Sequence, residues 1–297
     1  MFFNIFALVI FSGYLGIFIF IFWHLFHKRQ LLIPRSQKTI TLKHQMNKAI
    51  IEIKNVHKEF DSPVLKGISF SIYQGETLAI LGRSGSGKSS ILKLIAGLLR
   101  PDLGEILFKG KDISFMDEST LLELRKSISY VFQQGAVFDF LDVRENIAYP
   151  LREIGIKDEK SIQDRVNYLL DTVAIKDSSN LRNDELSVGA RKQVAIARAI
   201  ANDPEVILYD EPTTGVDPMI KKSLSHLIRK LNKDNGLTSI VVTHDLQCIE
   251  TVADRMILIK NGTVRFEGKL SEFHVSSDPY VQAFIAGKLN DEEPDSL

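Results

Sequence analysis

Nine residues restrict the fold more tightly than anything else in the chain. Gly82 to Ser90 read GRSGSGKSS, and Gly82-x-x-x-x-Gly87-Lys88-Ser89 satisfies the Walker A pattern of a phosphate-binding loop. The pattern carries weight only between a buried strand and a helix, and both are legible. Upstream, ETLAILG (Glu76 to Gly82) is a short apolar run ending in glycine; downstream, SSILKLIAGLL has helical spacing. Gly82, Gly85 and Gly87 let the backbone curl until successive amides point at phosphate oxygens, and the positive helix end adds to the attraction. Arg83, Ser84, Ser86 and Ser90 belong to the same contact surface. Lys88 is expected to bridge the β- and γ-phosphates, and the Ser89 hydroxyl to ligate Mg²⁺. A chance Gly/Ser turn is the competing reading, and the flanking strand and helix stand against it.

Three further strand ends suit the same ligand. VILYDEP is an apolar strand that delivers Asp210 to the metal sphere, the Walker B role, with Glu211 beside it to polarise a water for attack on the γ-phosphate. VVTHD places His244 after another buried strand, where it reads as a hydrogen-bonding switch beside a γ-phosphate. In YVFQQ, Gln133 follows a strand and is expected to reach the metal or the water; Gln134 competes for that role.

The rest of the chain sets limits. Its 37 basic and 37 acidic residues balance, which argues against a nucleic-acid partner. Cys248 is the single cysteine, so no intramolecular disulfide exists, and a lone cysteine reads as a small buried hydrophobe. Met1 to Trp23 carry no charge, and His24, His27, Lys28, Arg29 and Arg35 follow. We read residues 1–24 as a transmembrane anchor leaving the remainder in the cytoplasm. A signal peptide and an unused upstream stretch before Met46 are the alternatives. Residues 25–49 read as a basic linker. From Ile50 the pattern is α/β, with strands at AIIEIKNV and VLKGISFSI, hairpins turning at Lys109-Gly110 and Asn261-Gly262, and a helix from about Pro218 to Asn235. Between about Ile113 and Leu186 the text is charged and helical around one embedded strand. NDEEPDSL closes the chain as an acidic tail. ELSVGARKQVAIARAI reads as a helix start, with Ser187 as its cap and Ala190, Val194, Ala197 and Ala201 on one face.

In chain order, Walker A, a glutamine after a strand, LSVGA, YDEP, TTGVD and VVTHD resemble the motifs of ATP-binding-cassette (ABC) ATPases over roughly Ile50 to Gly268. The resemblance implies an α/β P-loop NTPase fold: a RecA-like core with an antiparallel β subdomain and a helical subdomain at about 135–190. The ATPase domain then spans 50–270, followed by a C-terminal extension at 271–297. ATP and Mg²⁺ are the implied ligands, and a second copy of the chain is the implied partner. Two copies clamp two ATP molecules, each held by Walker A of one copy and the signature loop of the other. On those terms Ser187 and the Gly189 amide touch the γ-phosphate in trans, Asp217 lies in the loop crossing the interface, and Phe60 stacks on adenine. The competing reading of Phe60 is a core phenylalanine.

VFQQGAVFDFLDVRENIAYPLRE, the signature-to-YDEP region and DPYVQAF further resemble the Mce/Mla-type lipid-transport ATPases, AYPLRE (Ala148 to Glu153) being the most telling piece. Such ATPases energise a membrane permease that works with an extracytoplasmic lipid-binding protein, which implies the cytoplasmic face of the inner (plasma) membrane. Members are usually without a membrane helix, so residues 1–23 depart from the pattern. Val188 also departs, standing where the signature has its first glycine. Other importer classes, such as amino-acid importers, remain open, although their signature usually ends in Gln where this chain has Ala190. A non-transport ABC protein usually carries two cassettes or a long coiled-coil insertion, and this chain has neither. A low-turnover regulator remains open through Val188. A P-loop GTPase or kinase leaves the signature and His244 unexplained.

Overall fold

The computed structural model describes residues 49–287. The expected anchor, the linker up to residue 48 and the acidic tail NDEEPDSL lie outside the described residues. Among the described residues no helix is long and apolar enough to cross a membrane. Ala49, assigned above to the linker, already pairs with Tyr73 in a sheet.

Along the chain come β1 (Ala49–Glu59), β2 (Pro63–Tyr73), β3 (Thr77–Gly82), α1 (Lys88–Ile95), β4 (Leu103–Phe108), β5 (Lys111–Asp112), α2 (Glu118–Arg125) and β6 (Ile128–Val131). Then follow α3 (Val143–Glu153), α4 (Glu159–Thr172), α5 (Val188–Ala199), β7 (Val206–Asp210), α6 (Pro218–Asn235), β8 (Thr238–Val242) and α7 (Leu246–Val252). The hairpin β9 (Arg255–Lys260) and β10 (Thr263–Gly268) precedes two short helices, α8 (Leu270–His274) and α9 (Pro279–Ile285).

Two sheets form. One is antiparallel in the order β2-β1-β4-β5; the other has the order β10-β9-β3-β8-β7-β6, parallel from β9 to β6. Composition explains the split. β3, β7 and β8 are apolar or β-branched nearly throughout and every residue in them is buried, as strands covered on both faces must be. β10 instead alternates between exposed and half-buried residues, which suits an edge. Alternation within β3 sends Leu78 and Ile80 into one apolar cluster, with α1 and the antiparallel sheet, and Ala79 and Leu81 into another, with α7, Phe273, Tyr280 and Val281. Ile207 and Tyr209 of β7 join a third cluster with α3, α4, α5 and α6. Each fully buried Leu or Ile contributes about 1.5–3 kcal/mol by leaving water.

The expected turns form at Lys109-Gly110 and Asn261-Gly262, where all four residues have positive φ. The two sheets also meet through glycines. A Cβ on Gly87 would fall 2.7 Å from Leu65 Cδ2, and one on Gly262 would fall 2.3 Å from the Val64 carbonyl oxygen. The Lys66 amide donates to the Gly262 carbonyl at 2.8 Å. The helix starting after Ser187 is shorter than its apolar spacing predicts. It ends at Ala199, and Ala201 is buried beyond the cap rather than on the helix face.

Candidate functional site

A parallel sheet delivers the C-terminal ends of its strands to one edge. Here that edge carries Gly82 at the end of β3, Gln133 after β6, Glu211 after β7 and His244 after β8. An open cleft of about 1050 Å³ lies there. Of the residues singled out in the sequence, it is lined by Gly82, Arg83, Ser84, Gly85, Gly87, Lys88, Ser89, Ser90, Gln133, Glu211 and His244. Gly87 takes φ 96° as the N-cap of α1, a conformation side chains resist, and so aims the first amides of the helix into the cleft. The Lys88 ammonium donates to the carbonyls of Gly82 at 2.8 Å and Arg83 at 2.9 Å.

Asp210 joins through its neighbours. Its two carboxylate oxygens accept from the Ser89 hydroxyl and from the Tyr130 phenol, both at 2.9 Å. Burial and the Asp210 charge together push the Tyr130 phenol far above its ordinary value, so it stays a donor. A hydroxyl and a carboxylate converging on a phosphate-binding loop are hard oxygen ligands of the kind a small divalent cation takes alongside phosphates. Among the described residues no three His, Cys, Asp or Glu side chains gather as a metal cage of their own.

Glu211 is the most constrained acid of the site. Its backbone is left-handed, at φ 47°. Its Oε2 accepts from Thr214 Oγ1 at 3.0 Å and Thr243 Oγ1 at 3.2 Å, while Oε1 lies 3.0 Å from His244 Nδ1. The imidazole tautomer protonated at Nδ1 therefore donates to a carboxylate whose other oxygen is already engaged. Gln133 lines this cleft and Gln134 does not; Gln134 lines a second cavity of about 510 Å³, which Gln133, Val188, Lys192 and Thr214 also border.

Besides Asp210, five of the expected residues do not line the phosphate cleft: Ser86, whose hydroxyl is buried beneath the loop, and Ser187, Asp217, Gly189 and Phe60. Ser187 caps α5, its Oγ accepting from the Ala190 amide at 3.1 Å. Asp217 caps α6, accepting from the amides of Met219 and Ile220 at 3.0 Å. Gly189 is buried, and a Cβ there would fall 2.7 Å from Ile220 Cγ2, so packing of α5 on α6 gives this glycine a reason besides close approach to phosphate. Phe60 is 54% exposed, which removes the core alternative. Its ring sits under the Lys58 ammonium, 5.4 Å from the centroid. Asp102 holds that strand end, accepting from Lys58 Nζ at 2.8 Å and from the Glu59 amide at 2.6 Å. The Lys58 hydrogen bond, with that amide, lowers the Asp102 carboxyl below its usual range. Val188, 42% exposed, opens α5 and borders the second cavity.

Sequence reading missed Tyr130, Thr214, Thr243, Asn146 and Lys192. Asn146 is buried in α3 and ties down the segment after Gln133. Its Oδ1 accepts from the Phe138 amide at 2.8 Å, and its Nδ2 donates to the Phe138 and Asp142 carbonyls at 3.0 Å. Lys192 is buried and donates to the main-chain carbonyls of Gln133 at 3.0 Å and Glu211 at 3.2 Å. Burial lowers its ammonium below the ordinary lysine range, opposed by the nearby Glu211 carboxylate. No local pattern marks Tyr130, Thr243 and Lys192, because their partners lie far along the chain; Thr214 and Asn146 meet partners within eight residues, but in loops whose path the sequence does not show.

A helix-capping glycine loop, a hydroxyl–carboxylate pair and a braced Glu–His pair on the edge of a parallel sheet define a P-loop nucleoside triphosphatase. The family profile described as ABC transporter matches residues 65–214, and the chain belongs to that family: it is an ABC transporter ATPase subunit, which binds and hydrolyses ATP. It is 38% identical over 244 residues to the intermembrane phospholipid transport system ATP-binding protein MlaF of Haemophilus influenzae, covering 82% of this chain and 92% of that protein. It is 39% identical over 259 residues to the chloroplastic protein TRIGALACTOSYLDIACYLGLYCEROL 3 of Arabidopsis thaliana, covering 81% of this chain and 74% of that one. Among solved structures, it is similar to the dimeric post-hydrolysis state of the ATP-binding cassette MJ0796 bound to ADP and Pi. The TM-score is 0.68 at 33% identity, covering 74% of this chain and 98% of that one. CbiO1 of Clostridium perfringens, part of the ABC transporter complex cbiONQ, gives 0.72 at 30% identity, covering 80% and 96%.

Proposed function

We propose that two copies of this chain hydrolyse Mg-ATP between them and drive a phospholipid permease from the cytoplasmic face of the membrane. One observation carries the chemical part: the Glu211 carboxylate is braced by Thr214, Thr243 and His244 in the cleft that Lys88 and Ser89 also line, Ser89 being bonded to Asp210 behind it. A carboxylate so held is oriented to take up the developing proton of an attacking water, and His244 sits where it can sense or bind the γ-phosphate. Lys88 and the loop amides bind the phosphates; Arg83, Ser84, Ser86 and Ser90 shape the loop. Ser89 and Asp210, with Gln133, would hold Mg²⁺, which when bound neutralises phosphate charge. Phe60, exposed and fixed beside Lys58, stacks on adenine.

Ser187, Gly189 and Asp217 lie away from the chain's own cleft, which supports their serving the partner's nucleotide, and the dimeric cassette bound to ADP and Pi supports the two-copy arrangement. We read 50–270 as the ATPase domain, with the helical subdomain at about 135–190. There Phe138, Phe140 and Tyr149 form an aromatic cluster next to the Gln133 segment, Phe140 and Tyr149 being exposed. That cluster suits docking of permease helices. The phospholipid cargo follows from the relatives' names, and an extracytoplasmic lipid-binding protein is the implied indirect partner. Residues 1–23 are assigned as a membrane anchor from their composition. The experiment is Glu211→Gln in the full chain. ATP turnover is expected to fall at least about a hundredfold while ATP still binds and drives dimerisation by light scattering. Turnover equal to wild type overturns the assigned chemistry.

A further inference from the structure

Lys192 lies on α5, five residues after Ser187, about 7.5 Å further along the helix at 1.5 Å per residue. It is only 5% exposed. A buried ammonium is costly, and two neutral carbonyls compensate it incompletely, so packing alone would favour leucine or methionine here. Those two acceptors are not arbitrary main-chain atoms. One is the carbonyl of Gln133, the other that of Glu211, and both side chains line the phosphate cleft. Glu211 is held in a left-handed backbone conformation, and its carbonyl accepts from the Thr214 amide at 3.3 Å as well as from Lys192, so these two donors together fix the main chain that bears the carboxylate. One ammonium therefore ties the loops after β6 and β7 to the helix that the signature serine caps.

We propose that Lys192 is a positioning residue for hydrolysis: it keeps the Glu211 carboxylate and the Gln133 segment in register with α5, so that movement of α5 on engaging the partner's nucleotide reaches the chain's own water-polarising acid. The trans half of this rests on the two-copy reading above. Displacements of about 1 Å at such a site cost about a hundredfold in rate, so a tether of this kind sets turnover without touching the nucleotide.

The test compares Lys192→Met and Lys192→Arg in the full chain. In Lys192→Met, kcat is expected to fall about tenfold or more with KM within about twofold, because the lost hydrogen bonds orient the acid and do not bind ATP. Amide exchange at 132–135 and 211–214 is expected to quicken without nucleotide, while that of α6 stays unchanged. Lys192→Arg, which keeps the donors and the charge, is expected to restore most of the turnover and the protection. Lys192→Gln, neutral and shorter, repeats the measurement if the methionine variant does not fold. Wild-type turnover in the neutral variants, or an arginine variant as slow as they are, overturns the proposal. Light scattering with ATP in a Glu211→Gln background separates the two readings. Absence of a dimer there overturns the two-copy arrangement, whereas a normal dimer with wild-type kcat in Lys192→Met overturns the role of Lys192 alone.

Discussion

Replacing Gly189 with alanine puts a methyl where α5 and α6 leave no room for one. Its Cβ would stand 2.7 Å from Ile220 Cγ2 and 3.7 Å from Ile220 Cβ and Cγ1. Carbon atoms rest about 3.5–4.0 Å apart, so about 1 Å must be yielded by an isoleucine on the first turn of α6 or by the helices themselves. Overpacking of this kind costs about 1–3 kcal/mol. Against it, alanine for glycine within a helix gains about 0.5–1 kcal/mol. The net expectation is a loss of about 0–2.5 kcal/mol, centred near about 1 kcal/mol, worth a Tm lower by up to about 10 °C for a domain of this size. Ile220→Ala removes the offending Cγ2, and in that background Gly189→Ala is expected to turn neutral or stabilising. The coupling between the two sites is then about 1–3 kcal/mol, measured by urea unfolding of the four proteins in a double-mutant cycle without nucleotide. An equal cost for Gly189→Ala in both backgrounds refutes the clash. So does an undisturbed stability accompanied by lost ATP turnover, which would leave approach to the partner's phosphate as the sole reason for glycine.

Tyr130→Phe keeps the ring and removes the donor to Asp210, so stability is expected to drop by about 1.5–3 kcal/mol in urea unfolding, the range for a hydrogen bond to a charged group. An unchanged midpoint would mean that the bond adds nothing over solvent. Cys248 is buried, and burial pushes its thiol up to about 11, so about one molecule in a thousand carries the thiolate at pH 8. Native protein is expected to resist iodoacetamide at pH 8, to react faster as pH rises towards 11, and to react fully in urea; rapid native labelling at pH 8 contradicts the burial.

What could be read from the sequence was local. The helix at Pro218–Asn235 announces itself with a capping Asp217, a proline at the first turn and Gly236 at its end. Both hairpin turns show as residue pairs tolerant of positive φ, and the phosphate loop shows as a spacing of glycines around lysine. What stayed hidden was long-range. Tyr130 meets Asp210 across 80 residues, and Lys192 meets Gln133 across 59. A tyrosine in a short strand and a lysine in a helix have no spacing that reports such meetings. The order β10-β9-β3-β8-β7-β6 is hidden for the same reason, since three buried apolar strands carry no label of their neighbours. Gly189 was legible as a glycine with a purpose, but its contact with Ile220 depends on how two helices cross.

The seam between the two sheets has a mechanical consequence. At Gly262 it joins main chain to main chain, through the Val64 carbonyl and the Lys66 amide, whereas at Gly87 the loop backbone rests on the Leu65 and Val64 side chains. Side chains absorb displacement by changing rotamer; backbone in contact with backbone has no such soft coordinate. The strand pair that carries Phe60 and the turn of the β9–β10 hairpin must therefore travel as one stiff body, and the give between that body and the loop that carries Lys88 lies in the Leu65 and Val64 side chains.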